Sequence, residues 1–482
     1  MSHAKPNVAV LFYRVGPYHF ARLRAAGQQM HVTALECSNV DPFYMWDEVA
    51  GQEGFERVTL FNGVPVEQQS AEMIATRMRA VLSELRPEVV AVPGWHDRCA
   101  LVALKWCCDE GVPTVVMSET TPWDYERKWW KEAFKRRIVR CFAAGFVGGT
   151  SHAQYLETLG MVRERVFLGY DAVDNRYFAE KAVEIRNQKS EIRNTFGLPE
   201  NYFLASARFV EKKNLPRLIQ AYTRYRELAE NTESLKPETL KSEMGSARAS
   251  RAVAGVPPGT SLAVQTVSPG TAQPAAGTAA LPKSENQNKK PETLKSENTS
   301  PRPSPRGGEG GVTWDLVLLG DGELRSSLKS QVSSLRLSEQ VQMPGFKQYP
   351  DLPAYYGLAG AFIHASTTEQ WGLVVNEAMA SGLPVLVSNR CGCASDLVQH
   401  GVNGFTFDPY NVEEMAQLMF QVSTSQPSKL SAYGSACRRI IADWGPERFA
   451  SGLKAAVDKA LEVGTIKPAL IQHLSLKALL AR

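Results

Sequence analysis

Residues 361–411 read AFIHASTTEQWGLVVNEAMASGLPVLVSNRCGCASDLVQHGVNGFTFDPYN. Ala361–His364 is a short apolar run, followed by a polar turn and by apolar positions at helical spacing from Gly372 to Ser381. A second apolar run, Pro384–Val387, comes next. Short continuous apolar strands with helices between them predict a parallel sheet covered on both faces. In such sheets, ligands bind at the carboxyl ends of the strands. The turn there carries Glu369, and the helix opening at Gly372 carries Glu377. The helix start, with Trp371, Gly372, Leu373 and Val374, offers unpaired N–H groups and a positive dipole end, which suits a diphosphate. Glu377, just over one turn in, can accept hydrogen bonds from ribose hydroxyls. Glu369, ahead of the helix, would face a sugar.

The same alternation extends upstream. Strands are predicted at Phe203–Ala207 and Asp315–Leu319, and helices at Asn214–Ala229 and Glu323–Leu335. Ala205–Asn214 reads ASARFVEKKN, so Arg208 and Lys213 fall between a strand and a helix. Two cations there would neutralise a leaving nucleoside diphosphate. After Asp315–Leu319, Gly320-Asp321-Gly322 makes a tight strand-to-helix turn, and Met343-Pro344-Gly345-Phe346 reads as a loop. In the first half, strands are predicted at Val8–Tyr13, Val32–Glu36, Val89–Val92, Thr114–Ser118 and Gly145–Gly148, each followed by a helical stretch such as Glu67–Leu85 or Arg98–Glu110. The fold expected is α/β: two Rossmann-like, doubly wound parallel-sheet domains facing across a cleft, at 1–175 and 176–443, with 444–482 returning to the first domain.

Residues 231–312 break the pattern. They contain no Phe, Trp, Tyr or Ile, hold ten of the 28 prolines, and repeat KPETLKSE at 236–243 and 290–297. Such a segment cannot bury enough apolar surface to offset ordering entropy, and it is expected to be a disordered insertion in a short helix-to-strand connection.

Glu369-x7-Glu377, followed by AMASGLPVLVS and GVNGF, closely resembles the retaining glycosyltransferases of family 4, which have the GT-B fold. The resemblance covers most of the C-terminal half. It implies a nucleotide-sugar donor and retention of anomeric configuration. It also implies that Arg208 and Lys213 contact the phosphates and that the segment with Phe346 meets the base. Gly320 and Gly322 occupy a matching turn. In the first half, Gly16 lies in a loop that in the family faces donor phosphate and acceptor, and His19 at the next helix start is a candidate proton guide. The family often places a cleft histidine after the strand matching Thr114–Ser118. Here Ser118, Glu119 and Thr120 stand instead, and His96 is a substitute to be weighed. The expected catalytic set is therefore Glu369, Arg208, Lys213 and His19. The donor-binding set is Gly16, Gly320, Gly322, Phe346, Trp371, Gly372, Leu373, Val374 and Glu377.

Composition sets the remaining bounds. A net charge of +4 over 482 residues argues against a nucleic-acid partner. The eight cysteines form no CxxC pair, so zinc spacing is absent and reduced, cytoplasmic thiols are expected. No cofactor and no metal are expected, because basic side chains and a helix terminus can neutralise the diphosphate. The partners expected are the nucleotide-sugar donor and a sugar, lipid-linked or small-molecule acceptor. RKWWKEAFKRRIVR, 127–140, has seven basic residues in fourteen and a stripe of Trp130, Phe134 and Ile138. It suits either a solvated face or peripheral contact with the inner face of an anionic membrane. A nucleotide-sugar epimerase and a catalytically silent sugar-nucleotide-binding subunit are the alternative functions.

Overall fold

The structure, a computed structural model, describes residues 4–40, 53–234 and 313–480. The expectation of disorder for 231–312 therefore lies outside the described residues, except for 231–234, which end the helix Leu215–Ser234. The first half builds a seven-stranded sheet from β1 (Asn7–Phe12), β2 (His31–Ser38), β3 (Glu56–Phe61), β4 (Val89–Pro93), β5 (Thr114–Ser118), β6 (Ala144–Val147) and β7 (Val166–Leu168). Its order is β3-β2-β1-β4-β5-β6-β7, and its pairings are parallel. The second half builds six strands: β8 (Tyr202–Ser206), β9 (Asp315–Leu319), β10 (Val341–Gly345), β11 (Ala361–His364), β12 (Val385–Ser388) and β13 (Gly404–Phe407). These run β10-β9-β8-β11-β12-β13, again all parallel. β8 pairs directly with β9, Tyr202 opposite Asp315, although the long polar segment separates them in sequence.

Two expectations need correcting. Met343-Pro344-Gly345 belongs to β10 and is not a loop. β3, β7, β10 and β13 are strands where none was expected; all four are sheet edges. An edge strand has one neighbour and half of it faces solvent, so it need not be apolar throughout, and it tolerates a proline such as Pro344.

Central strands are buried on both faces, as in β4 and β5, where Val89, Val90, Ala91, Val115 and Val116 are fully inaccessible. Helices cover each face. Arg98–Glu110 starts where the Asp97 side chain accepts the Ala100 N–H at 3.1 Å, satisfying an otherwise orphan donor. The helix Pro446–Val463 lays Phe449, Leu453 and Val457 into the cluster formed by Val8, Val10, Phe12, Met117 and Phe146 of the first sheet. Leu476 of the last helix, Leu470–Leu480, enters the core on the other face, with Leu11, Val90 and Val116. Among the described residues, no helix is long and apolar enough to cross a membrane.

Candidate active site

The carboxyl ends of β8 and β11 bring the main charges together. β11 ends at His364, and the turn after it carries Glu369. Three backbone bonds hold this turn against residues 390–393: Glu369 N–H to Arg390 O at 3.1 Å, Gly392 N–H to Glu369 O at 3.0 Å, and Cys393 N–H to Trp371 O at 3.2 Å. Cys391 and Cys393 are buried in this packing and unpaired, as loop packing would have them. A Cβ on Gly392 would lie 1.6 Å from Gln370 O, so only glycine allows the two strands of backbone to close. Behind β8, Lys213 ends a short 3-10 turn, and its ammonium forms an ion pair with Glu369. His364 Nε2 lies 3.1 Å from the same Glu369 oxygen and 3.1 Å from Ser366 Oγ.

Burial opposes the charge on Glu369, but Lys213 and His364 outweigh it and hold its carboxyl well below the usual range. Burial keeps His364 neutral, below its usual value. Lys212, the adjacent lysine, instead lends its carbonyl to Thr367 N–H at 2.9 Å.

Arg208 is exposed in the loop after β8. That loop lies on the Gly320–Gly322 turn through Phe209 N–H to Asp321 O at 2.7 Å and Leu324 N–H to Phe209 O at 3.0 Å. A Cβ on Gly320 would sit 1.9 Å from Ala207 O, and one on Gly322 2.7 Å from Phe209 O. These glycines therefore let the loop bearing Arg208 approach the end of β9. Phe346, partly exposed, directly follows β10.

Glu377 is fully buried on the helix Leu373–Ala380, whose cap Gly372 adopts φ 104°. Its carboxylate accepts hydrogen bonds from Tyr356 at 2.6 Å and from Tyr18, of the first half, at 2.5 Å. Glu377 has no exposed surface, so a ribose reaching it must open this packing; its carboxylate, accepting two hydrogen bonds, keeps lone pairs for further ones. The Trp371 ring is also committed: Nε1 donates to Asn376 Oδ1 at 2.9 Å, and the ring packs on Trp444 at 5.1 Å. Its side chain is a packing element at the site's back wall.

Burial raises the Glu377 carboxyl from its usual 4.5 to about 7, although both tyrosines favour the anion. The folded value exceeds the unfolded one. The group's stabilisation is therefore complete below about pH 4.5 and is lost as pH rises through about 7. Between pH 5 and pH 7 the wild type should lose stability relative to Glu377→Gln by roughly 1.4 kcal/mol per pH unit. Denaturant unfolding of both proteins across that range checks this, and parallel curves would contradict it.

In the first half, Gly16 caps the helix Pro17–Gly27, and His19 Nδ1 accepts the Gly16 N–H at 3.1 Å. A Cβ at Gly16 would meet only His19 Nδ1, at 3.9 Å, so close packing does not demand glycine there. Burial, then Arg22, lowers the His19 pKa to about 3, leaving a neutral ring with only Nε2 available for a proton. Gly149 and His152 repeat this cap at 3.1 Å, and His152 Nε2 reaches across to Gln370 O at 2.9 Å. Two further bonds join the halves: Trp123 Nε1 to Arg390 O at 3.0 Å and Thr150 Oγ1 to Asp396 at 2.6 Å. His96 lines a separate cavity with Glu67, Asp97 and Cys99. Among the described residues, one group of potential metal ligands, Cys37, Asp97 and Cys99, has its atoms within 4.8 Å of one another; neither Glu369 nor Glu377 belongs to it.

Sequence reasoning brought forward Lys213 and Glu369 but missed Tyr18, Tyr356, His364 and His152. His364 was legible as a polar residue closing an apolar strand. Tyr356 needed the packing of two helices of the second half, and Tyr18 and His152 the packing of the two halves.

Residues 311–438 match the family model for glycosyl transferases group 1. The matched segment begins where the long polar stretch ends and contains Glu369, Glu377 and His364. An uncharacterized glycosyltransferase of Haemophilus influenzae is 30% identical over 139 residues, 27% of this chain and 39% of that protein. Alpha-monoglucosyldiacylglycerol synthase of Acholeplasma laidlawii is 34% identical over 94 residues, 19% of this chain and 23% of that protein. The matched stretch thus spans less than half the length of these curated relatives. Among solved structures, Anabaena HepE in complex with UDP and glucose superposes with a TM-score of 0.56 at 15% identity, over 93% of this chain and 98% of that one. A UDP-forming alpha,alpha-trehalose-phosphate synthase from Burkholderia vietnamiensis gives 0.62 at 11% identity, over 94% and 99%. The two parallel sheets with flanking helices are the GT-B fold.

Proposed function

We propose that this protein transfers a sugar from a nucleotide-sugar donor to an acceptor hydroxyl, with retention of configuration. The observation that carries the reading is the Lys213–Glu369 ion pair, backed by His364, at the ends of β8 and β11; Glu369 and His364 lie inside the matched region, and Lys213 reaches them from the strand end before it. Lys213 and Arg208 would take the diphosphate, with the helix start at Gly372. Glu369 would orient hydroxyls of the transferred sugar, and Glu377 the ribose, exchanging its bond from Tyr18. The departing phosphate would accept the acceptor's proton on the face from which it leaves. Stabilising that leaving group would supply much of the rate.

The acceptor side is the first sheet. There Trp129 is 82% and Trp130 50% exposed beside the basic residues of 127–140, and Leu470, Ile471 and Leu474 of the last helix are also exposed. This surface supports an acceptor presented at an anionic membrane. A panel of nucleotide sugars, followed by mass spectrometry with anionic vesicles present and absent, tests the reading. Turnover of at least one donor is expected, and it should survive chelation, since the cations are side chains. No turnover of any donor would overturn the function. An absolute need for Mg²⁺ or Mn²⁺ would overturn the metal-free mechanism. Chain remaining wholly unsedimented with vesicles at low salt would remove the membrane arm. Sugar conversion without transfer would point to epimerisation.

A further inference from the structure

A second charged cluster faces Glu369 from the first half and has no part in the scheme above. Asp171, shortly after β7, is 1% exposed, and Arg22 likewise. Arg22 Nε donates to Ala172 O at 2.7 Å, and its guanidinium lies over Tyr170 at 5.4 Å and Phe449 at 5.9 Å. Its Nη2 stops 3.8 Å short of Asp171 Oδ1. Arg22 Nη2, a donor, and Asp171 Oδ2, an acceptor, are both buried polar atoms with no hydrogen-bond partner among the described residues. Native interiors rarely leave such atoms unmatched, so the arrangement calls for an explanation.

Glu119, directly after β5 and partly exposed, lies in side-chain hydrogen-bonding contact with Asp171. Ionised carboxylates only accept, so two of them in contact need a proton between them. The pair also stands at the junction of the two halves. A Cβ on Gly148 would meet Asp171 Oδ2 at 2.5 Å, Trp371 Cε3 at 3.1 Å and His152 Cε1 at 3.2 Å. His152 in turn binds the carbonyl of Gln370, the neighbour of Glu369.

We infer that Glu119 and Asp171 hold one proton between them and present it to a hydroxyl of the transferred sugar, opposite Glu369. The inference rests on the reading of Glu369 as the sugar-facing group. A carboxyl pair with one proton offers one donor and several acceptors, which matches a carbohydrate hydroxyl. Glu119 is the member of the pair with exposed surface, so the hydroxyl meets the pair there.

The titratable and charged groups around the pair include Arg22, Asp124, Tyr170 and His152 from the first half and Glu369 and Cys393 from the second. Burial first, and then like charge from the partner carboxylates, keep the proton on the pair above the ordinary carboxyl range, against the pull of Arg22. Rising pH removes that proton, so donor turnover should fall on the alkaline side.

The test is donor hydrolysis without acceptor, measured across pH, with nucleoside diphosphate affinity measured in parallel. Glu119→Ala should lower kcat/KM for the donor about 10- to 100-fold and leave nucleoside diphosphate affinity within about threefold, because that ligand has no sugar. Glu119→Gln keeps a donor and an acceptor without the charge. It should retain turnover within about fivefold and lose the alkaline fall that the parallel binding curve does not explain. A purely structural ion cluster would instead weaken both ligands alike and would not be rescued by Gln. Unchanged hydrolysis in Glu119→Ala, equal loss with both ligands, or a Gln variant as damaged as the Ala variant would overturn the inference. Loss confined to transfer, with hydrolysis intact, would place the pair on the acceptor and overturn it too. Wild type inactive with every donor would instead sink the function on which the inference rests.

Discussion

Glu369→Ala is expected to lower sugar turnover on the order of 100-fold while leaving nucleoside diphosphate affinity unchanged or slightly tighter. Two facts give the direction. Glu369 is held ionised by Lys213 and His364 at the strand ends, so it is a fixed acceptor for hydroxyl groups. A contact of that kind acts on the sugar, and a nucleoside diphosphate has none. Its removal also frees the largely buried Lys213 ammonium, left without its counter-charge, to pair with phosphate. Lys213→Ala should do the reverse. It removes the phosphate partner and strands a buried carboxylate, so nucleoside diphosphate affinity should drop by about 1–3 kcal/mol and turnover should drop with it. Calorimetry with a nucleoside diphosphate and steady-state kinetics with the donor separate the two variants. Equal loss of nucleoside diphosphate binding in both would show that the carboxylate and the ammonium do not divide sugar from phosphate.

Truncation before Trp444 is expected to abolish cooperative folding of the first half, although the deleted residues belong to the far end of the chain. Phe449, Leu453, Val457 and Leu476 are each at most 1% exposed, the first three on one face of the first sheet and Leu476 on the other. Burying a large apolar side chain stabilises by roughly 1.5–3 kcal/mol. Four of them, without Trp444 and the alanines between, are comparable to the whole stability of a domain, about 5–15 kcal/mol. Leu453→Ala is the graded version. It should cost about 2–5 kcal/mol and shift the melting of the first half without removing it. Limited proteolysis and calorimetric melting read both variants. A truncated chain with the melting profile of the full one would mean that the first sheet does not depend on this helix.

What the sequence determined by itself was whatever is written in local pattern. The central strands are continuous apolar runs buried on both faces, so β1, β4, β5, β9 and β11 were legible to within a residue or two. The phrase from Ala361 to Asn411 likewise placed Glu369 and Glu377 at strand-end and helix-start positions, because those positions follow from chain order alone. The four edge strands were not legible. β3 is mostly only partly buried, β7 has three residues, β10 contains Pro344, and β13 has four residues; an edge is defined by having one neighbour, which no local window contains. Only tertiary structure could decide what each charge faces. Glu377 reads as an open acceptor beside a ligand, yet the chain brings Tyr18, from more than 350 residues away, onto its carboxylate. His19 reads as a proton guide, yet its Nδ1 is spent on the Gly16 N–H. Asp171 carries no motif at all; it meets Arg22 and Glu119 through the packing of the first half, and the neighbourhood of Glu369 only because the two halves close on one another. The pattern of apolar residues chooses the scaffold locally. The protonation and partners of buried charges depend on distances across the fold, because in a desolvated interior each charge is governed by its nearest neighbours in space, not in sequence.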